Sequence, residues 1–203
     1  MPSITDEAFD KSKNKEKQYD IIYIARDHKE DIRYKFAVEL DKFCKKNNLK
    51  LKLFGSLGNP PVFGQNYYDE ISKSKIAINF NRDEYLDKKN ENKVMESSDR
   101  MNHFLGVGVC TFTPEVNEMD RLFKNNKEIV YFIGVEDCFN KIKQYLSNRL
   151  YEKIGASGSR KAYEIVNAKR VTKYMIEVIN NELLEKYEWD DYIFKNGVKL
   201  QEV

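Results

Sequence analysis

The stretch YDIIYIARDHKEDIRYKFAVELDKFCKKNNLKLKLFG, residues 19–55, decides the fold. Its first part, DIIYIA (20–25), is a short apolar run rich in β-formers, the signature of a strand buried on both faces. A charged segment follows in which Ile32, Phe36, Ala37, Leu40, Phe43 and Cys44 recur at spacings of three and four. That periodicity gives a helix with one apolar stripe. Asn47 and Asn48 end it, and LKLKLFG (49–55) begins a second strand with Gly55 at its turn. Strand, helix and strand joined this closely make a crossover unit with parallel pairing.

The pattern repeats outward. SLGNPPVFGQN (56–66) is a loop marked by Gly and Pro, YYDEISKSK (67–75) a short helix, and IAINFN (76–81) a third strand. Residues 82–99 are polar and without apolar period, so they read as a long loop. DRMNHFLGVG (99–108) reads as a helix ended by glycines, VCTFT (109–113) as a fourth strand, and EIVYFIG (128–134) as a fifth, after a short helix near Met119–Phe123. The remainder is helical: one stripe over Val135–Leu146, one over 150–168 interrupted at Gly155 and Gly158, and one through Val171, Tyr174, Met175, Val178 and Ile179. Five strands alternating with helices specify an α/β chain, a single Rossmann-like domain with a mostly parallel sheet and a helical C-terminal third. Residues 1–18, with four acids and four lysines and no periodicity, read as a flexible tail. The domain then covers 19–185 and a C-terminal extension 186–203.

Composition removes several classes of function. The 203 residues carry 35 Lys and Arg against 33 Asp and Glu, a balance unlike that of a nucleic-acid binder. No apolar run reaches the roughly 18–20 residues of a membrane span, and the N-terminus has no apolar stretch of the secretory kind. Three scattered cysteines, Cys44, Cys110 and Cys138, suit reduced thiols in the cytoplasm. Two histidines, His28 and His103, are too few for a His-rich metal centre. The first strand–helix turn, IARDHKED, holds no glycine, so it is not a GxGxxG dinucleotide turn. GxxxxGK[ST], GxSxG and HExxH are also absent.

In parallel sheets of this kind ligands bind at the C-terminal ends of the strands. Arg26 follows the first strand directly, and a cation where a strand feeds a helix suits a phosphate. In SSDRMNHFLGVGV (97–109), Ser97, Ser98 or Asp99 caps the helix. Arg100 then sits in a first turn that disfavours cations, which suggests an anionic partner. His103 shares its helix face, and Gly106 and Gly108 permit close backbone approach. PPVF (60–63) and Tyr67–Tyr68 are candidates for a wall on which a base or sugar stacks.

Three stretches carry a family resemblance. YYDEISKSKIAINFNR (67–82), SSDRMNHFLGVGVCTFTPEVNEMDRLF (97–123) and NKEIVYFIGVEDCFNKIKQYL (126–146) resemble the C-terminal, donor-binding domain of GT-B glycosyltransferases, in particular the CgeB-like group and its glycosyl transferase family 1 relatives. The resemblance implies transfer of a sugar from a nucleotide-diphosphate sugar, without a bound metal or other cofactor. It implies donor binding by Arg26, Ser98, Arg100, His103 and Gly108. His103 falls where the family has a Glu, and an imidazole there would add a third cation towards phosphate at low pH. GT-B enzymes pair two such domains, so a second Rossmann-like domain or chain is expected to complete the cleft. The alternative is a GT-B-derived domain that binds a nucleotide or a partner without catalysis.

Overall fold

The computed structural model describes residues 1–10, 16–26, 28–80, 90–95, 97–180, 182, 186–189, 194–195 and 198–199. Five strands form one parallel sheet: β1 (Tyr19–Ile24), β2 (Leu51–Phe54), β3 (Ser74–Ile78), β5 (Cys110–Pro114) and β7 (Val130–Phe132), in the order β2-β1-β3-β5-β7. Pairing runs Ile21 to Leu51 on one side of β1 and Ile21 to Ile76 on the other. The chain steps one way from β1 to β2 and the opposite way from β1 to β3. The switch point of the sheet is therefore the crevice between β1 and β3.

Alternation within the strands divides the core. Ile21, Tyr23, Ile76, Ile78, Phe112 and Phe132 face α2 (Ile32–Lys46) and α5 (Gly134–Ser147). Phe36 of α2 packs there with rings of Tyr23, Phe80 and Phe132. Ile22 and Ala77 face the other way, onto Ile71 of α3 (Gln65–Ser72) and Phe104 of α4 (Asp99–Val107). Both faces of the sheet are thus covered, which explains why its strands read as apolar runs.

Several details differ from the sequence reading. The glycines at 155 and 158 do not interrupt a helix, because α6 is continuous over Leu150–Ile165. A Cβ at Gly155 would lie 2.4 Å from the Gly108 carbonyl oxygen, and one at Gly158 2.2 Å from that of Glu128. These glycines let the helix lie directly on backbone. The segment 82–99 is not all loop: β4 (Asn90–Val94) pairs in parallel with β6 (Val116–Asn117), while 81–89 lie outside the described residues. Residues 1–10, read as part of a flexible tail, lie against the domain and include a short helix, α1 (Glu7–Asp10), with Pro2, Thr5 and Asp10 buried. In α7 (Ala168–Asn180) the described residues cover one edge of the apolar stripe, through Tyr187 and Trp189 beyond residue 185. Val171 is buried there, whereas Ile179 is 76% exposed.

Candidate active site at the strand ends

Asn79, immediately after β3, is the hub of the C-terminal edge. It is buried, its N–H donates to the Phe112 carbonyl (2.8 Å), and its side-chain amide donates to Thr113 Oγ1 (3.2 Å) on β5. Its Oδ1 accepts from Ser98 Oγ and from Arg100 Nε, each at 3.1 Å. Ser98 is the N-cap of α4, its Oγ accepting the Met101 N–H at 3.2 Å. One amide thus ties the positive end of α4 to two neighbouring strands.

Arg100 continues the tie. Nη1 donates to the Ile24 carbonyl at the end of β1, and Nη2 to the Phe80 carbonyl just past β3, both at 2.7 Å. The guanidinium therefore sits across the switch point and gives hydrogen bonds to carbonyls that strand ends leave over. This partner set differs from the anion expected from sequence. The cation in the first turn is compensated by backbone oxygens of the sheet.

Arg26 stands two residues past β1, with its side chain exposed. Its carbonyl accepts from Arg33 Nη2 (2.5 Å), and Arg33 is itself held by the N-cap carboxylate of α2, Asp31, at 2.7 Å. The backbone of Arg26 is pinned while its guanidinium projects outward without a side-chain partner among the described residues. It borders a cavity of about 480 Å³ whose wall includes Ile24, Phe54, Pro61, Val62 and Phe63. Three residues of PPVF, Pro61, Val62 and Phe63, thus line the cavity beside the first strand end, with Phe63 75% exposed. Ile24 links the two arginines: Arg100 bonds its carbonyl, and the residue lines the cavity that Arg26 borders.

His103 and Gly108 lie elsewhere on α4. The His103 ring meets Tyr67 and Tyr68 of α3 edge-on, at 5.7 and 5.5 Å between centroids. Burial lowers the His103 pKa and Asp99 opposes that shift, so the ring is held towards neutrality. Tyr67 and Tyr68 are thus committed to His103 and are not part of the PPVF wall. Gly108 is the left-handed C-cap of α4 (φ 84°), its N–H bonded to carbonyls of the last turn. The nine residues of α4 separate it from Ser98, about 15 Å along the axis. It borders a larger cavity, about 840 Å³, shared with Lys17, Lys75, Tyr151 and Tyr163. Lys17, Lys75 and Gly108 precede or open their strands, so this cavity is at the N-terminal edge, away from the switch point.

Sequence reading missed the central role of Asn79 and the tether from Arg33. Asn79 was legible only as a strand end, since no local pattern announces which strand-end amide becomes a hub. The three thiols are buried, which pushes Cys44 up to about 12 and raises Cys110 and Cys138 above their ordinary range. Among the described residues no group of three or more His, Cys, Asp or Glu could hold a metal ion, and no described helix is long and apolar enough to cross a membrane.

The same fold is found in solved structures. The chain aligns with Staphylococcus aureus TarM, crystallised as a point mutant with fondaparinux, alpha-GlcNAc-glycerol and UDP, at TM-score 0.61 and 12% identity, covering 83% of this chain and 37% of TarM. The pneumococcal O-GlcNAc transferase GtfA, in complex with UDP and GlcNAc, aligns at 0.60 and 13%, covering 91% and 39%. Sucrose-phosphate synthase from Thermosynechococcus elongatus aligns at 0.53 and 7%, covering 81% and 45%. At these identities the likeness is one of fold, and the chain spans less than half of each neighbour. No curated protein matches it significantly. The profile described as "Glycosyl transferase-like" matches residues 35–176, beginning within α2, ending within α7 and including the whole of α4. That match extends over more than two thirds of the sequence, and the chain belongs to the glycosyl transferase-like family.

Proposed function

We propose that this chain is the donor-binding half of a glycosyltransferase that transfers a sugar from a nucleotide-diphosphate sugar to an acceptor. The observation that carries the reading is Arg26: an outward guanidinium on a pinned backbone, beside an open cavity at the first strand end. The family membership and the UDP-bound neighbours of like fold support it. In this reading Arg26 and the capped N-terminus of α4 neutralise the diphosphate, so that charge developing on the leaving group meets fixed positive charge without a resident metal. The apolar wall of Pro61, Val62 and Phe63 takes the base. Ser98 and Arg100 hold the edge in shape around Asn79, and His103 and Gly108 act at a distance from the diphosphate.

The acceptor pocket and any catalytic base fall to a second Rossmann-like domain or chain, in keeping with neighbours of which this chain covers less than half. The reaction belongs to the cytoplasm, where the three thiols stay reduced. A second reading, nucleotide binding without transfer, is favoured by one observation: His103, at the position where the family has a Glu, is packed against Tyr67 and Tyr68. A calorimetric panel of UDP, GDP, ADP and TDP, each alone and as a sugar conjugate, tests the proposal. Saturable binding of one base series supports it, and binding of none overturns it. Retained binding with neither transfer nor donor hydrolysis, in the presence of the second domain, would select the second reading.

A further inference from the structure

The first ten residues cross α4 and are fastened to it at both ends. Ser3 N–H donates to Ser97 Oγ (2.8 Å), Ser3 Oγ donates to the Ser97 carbonyl (3.1 Å), and Asn102 Nδ2 donates to the Ser3 carbonyl. Ser97 directly precedes the N-cap, and Asn102 is fully buried one turn later. Ser3 thus joins the two flanks of the turn that carries Ser98 and Arg100. Further along, Thr5 pairs with the α6–α7 junction, donating to the Val166 carbonyl (2.8 Å) and accepting from Ala168 N–H (3.0 Å). Asp10 closes over the last turn of α4 at Gly106. A Cβ added there would lie 2.6 Å from Asp10 Cβ and 2.8 Å from Thr5 Cγ2. The segment lies flat on the helix only because residue 106 is glycine.

We propose that residues 1–10 are a positioning strap: by holding Ser97 and Asn102 they set the first turn of α4, and with it the placement of Ser98 and Arg100 at the switch point. The consequence for ligand affinity rests on the donor-binding reading above. The strap is neither catalytic nor in contact with the nucleotide. It acts through the helix end whose dipole and cap the site uses.

Gly106→Ala in the full chain is the sharpest test. It adds a methyl under the strap while raising the intrinsic helix propensity of α4, so a looser helix cannot be blamed on the substitution itself. Ser97→Ala removes one fastening without touching the packing, and Ser97→Thr keeps the oxygen. Amide hydrogen exchange over 97–105 is expected to quicken about tenfold in Gly106→Ala and less in Ser97→Ala, with 32–46 unchanged and Ser97→Thr like the parent. UDP affinity is expected to fall about fivefold in step with exchange. A merely structural segment would lower the melting temperature and leave UDP affinity alone. The proposal is overturned if exchange over 97–105 is unchanged in both variants, or if it quickens while UDP affinity stays within twofold. UDP is replaced in these assays by whichever diphosphate the panel selects; should the parent bind none of the four, the donor reading fails on its own, and the exchange arm still decides whether the strap sets α4.

Discussion

Arg100 Nη1 lies 2.7 Å from the carbonyl oxygen of Ile24, and its other terminal nitrogen lies 2.7 Å from that of Phe80. One planar fork therefore bridges the two strands between which the chain reverses its direction of travel across the sheet. A lysine, with a single ammonium on a flexible stem, reaches one such carbonyl and leaves the other short. Arg100→Lys is expected to cost about 1–3 kcal/mol, read as a lower midpoint in urea with an unchanged slope. An unshifted midpoint would mean that the bridge contributes nothing.

His103 and its two tyrosine neighbours give a pH dependence with a definite sign. Burial lowers the imidazole pKa, so the unfolded chain takes up the proton first. Its contribution to stability is present above the unfolded value, about 6.5, and is lost as pH falls through the folded one. His103→Gln should flatten thermal stability between about pH 5 and 7 relative to the parent. Between about pH 6.5 and 8 the pH dependence of UDP affinity should be the same in the parent and in His103→Gln, because a neutral ring adds no cation beside Arg26. A rise in affinity towards about pH 6 that His103→Gln abolishes would return the imidazole to the phosphate site.

Asp10 has the opposite sign. Burial under the strap raises its carboxyl from 3.8 to about 6, with Asp6 adding to the shift and the Asp6 N–H (2.7 Å from Oδ2) opposing it. The folded chain therefore binds the proton more tightly. The associated stability is fully present below about pH 3.8 and is lost as pH rises through about 6. Asp10→Asn keeps an acceptor for Asp6 and removes the buried charge. It should raise stability at pH 7.5 by on the order of 2 kcal/mol, with no gain near pH 4. Equal effects at both pH values would show that the charge is not the cause.

Thr5 has a buried hydroxyl without a hydrogen-bond partner among the described residues. Thr5→Val replaces it with a methyl of similar shape and leaves the backbone pairing with Val166 and Ala168 intact. Relief of the desolvation cost should raise stability by about 1 kcal/mol, some 2–4 °C in melting temperature for a chain of this size. A lower melting temperature would point to an unseen partner for the hydroxyl.

Sheet and helices were legible because each is dictated by a local period: the apolar runs at 20–25, 49–54, 76–81, 109–113 and 128–133 each overlap an observed strand. The failures were failures of distance. Gly155 and Gly158 look like helix breakers until the carbonyls of Gly108 and Glu128 are seen against them, nearly fifty and thirty residues away. Polar residues 1–10 look like a tail because their order comes from hydrogen bonds to Ser97, Asn102 and Val166, not from an apolar period. At the strand ends, Ser98 is the N-cap among the three that the reading offered. The partners of Arg100 were hidden, since nothing local distinguishes an arginine bound for phosphate from one bound for strand carbonyls. Gly108 was legible as a helix-ending glycine, and it is the left-handed C-cap of α4.

The central claim is that the strand-end cavity beside Arg26 takes the diphosphate of a nucleotide donor, and Arg26→Ala tests it most directly. The side chain is exposed and the backbone is held by Arg33, so the variant should keep the parent's melting temperature. Calorimetric titration with UDP, or with whichever diphosphate the panel selects, should show affinity at least about tenfold weaker in the variant, the loss of one charge-assisted contact of about 1.5–3 kcal/mol. An unchanged dissociation constant in a folded Arg26→Ala variant would contradict the account.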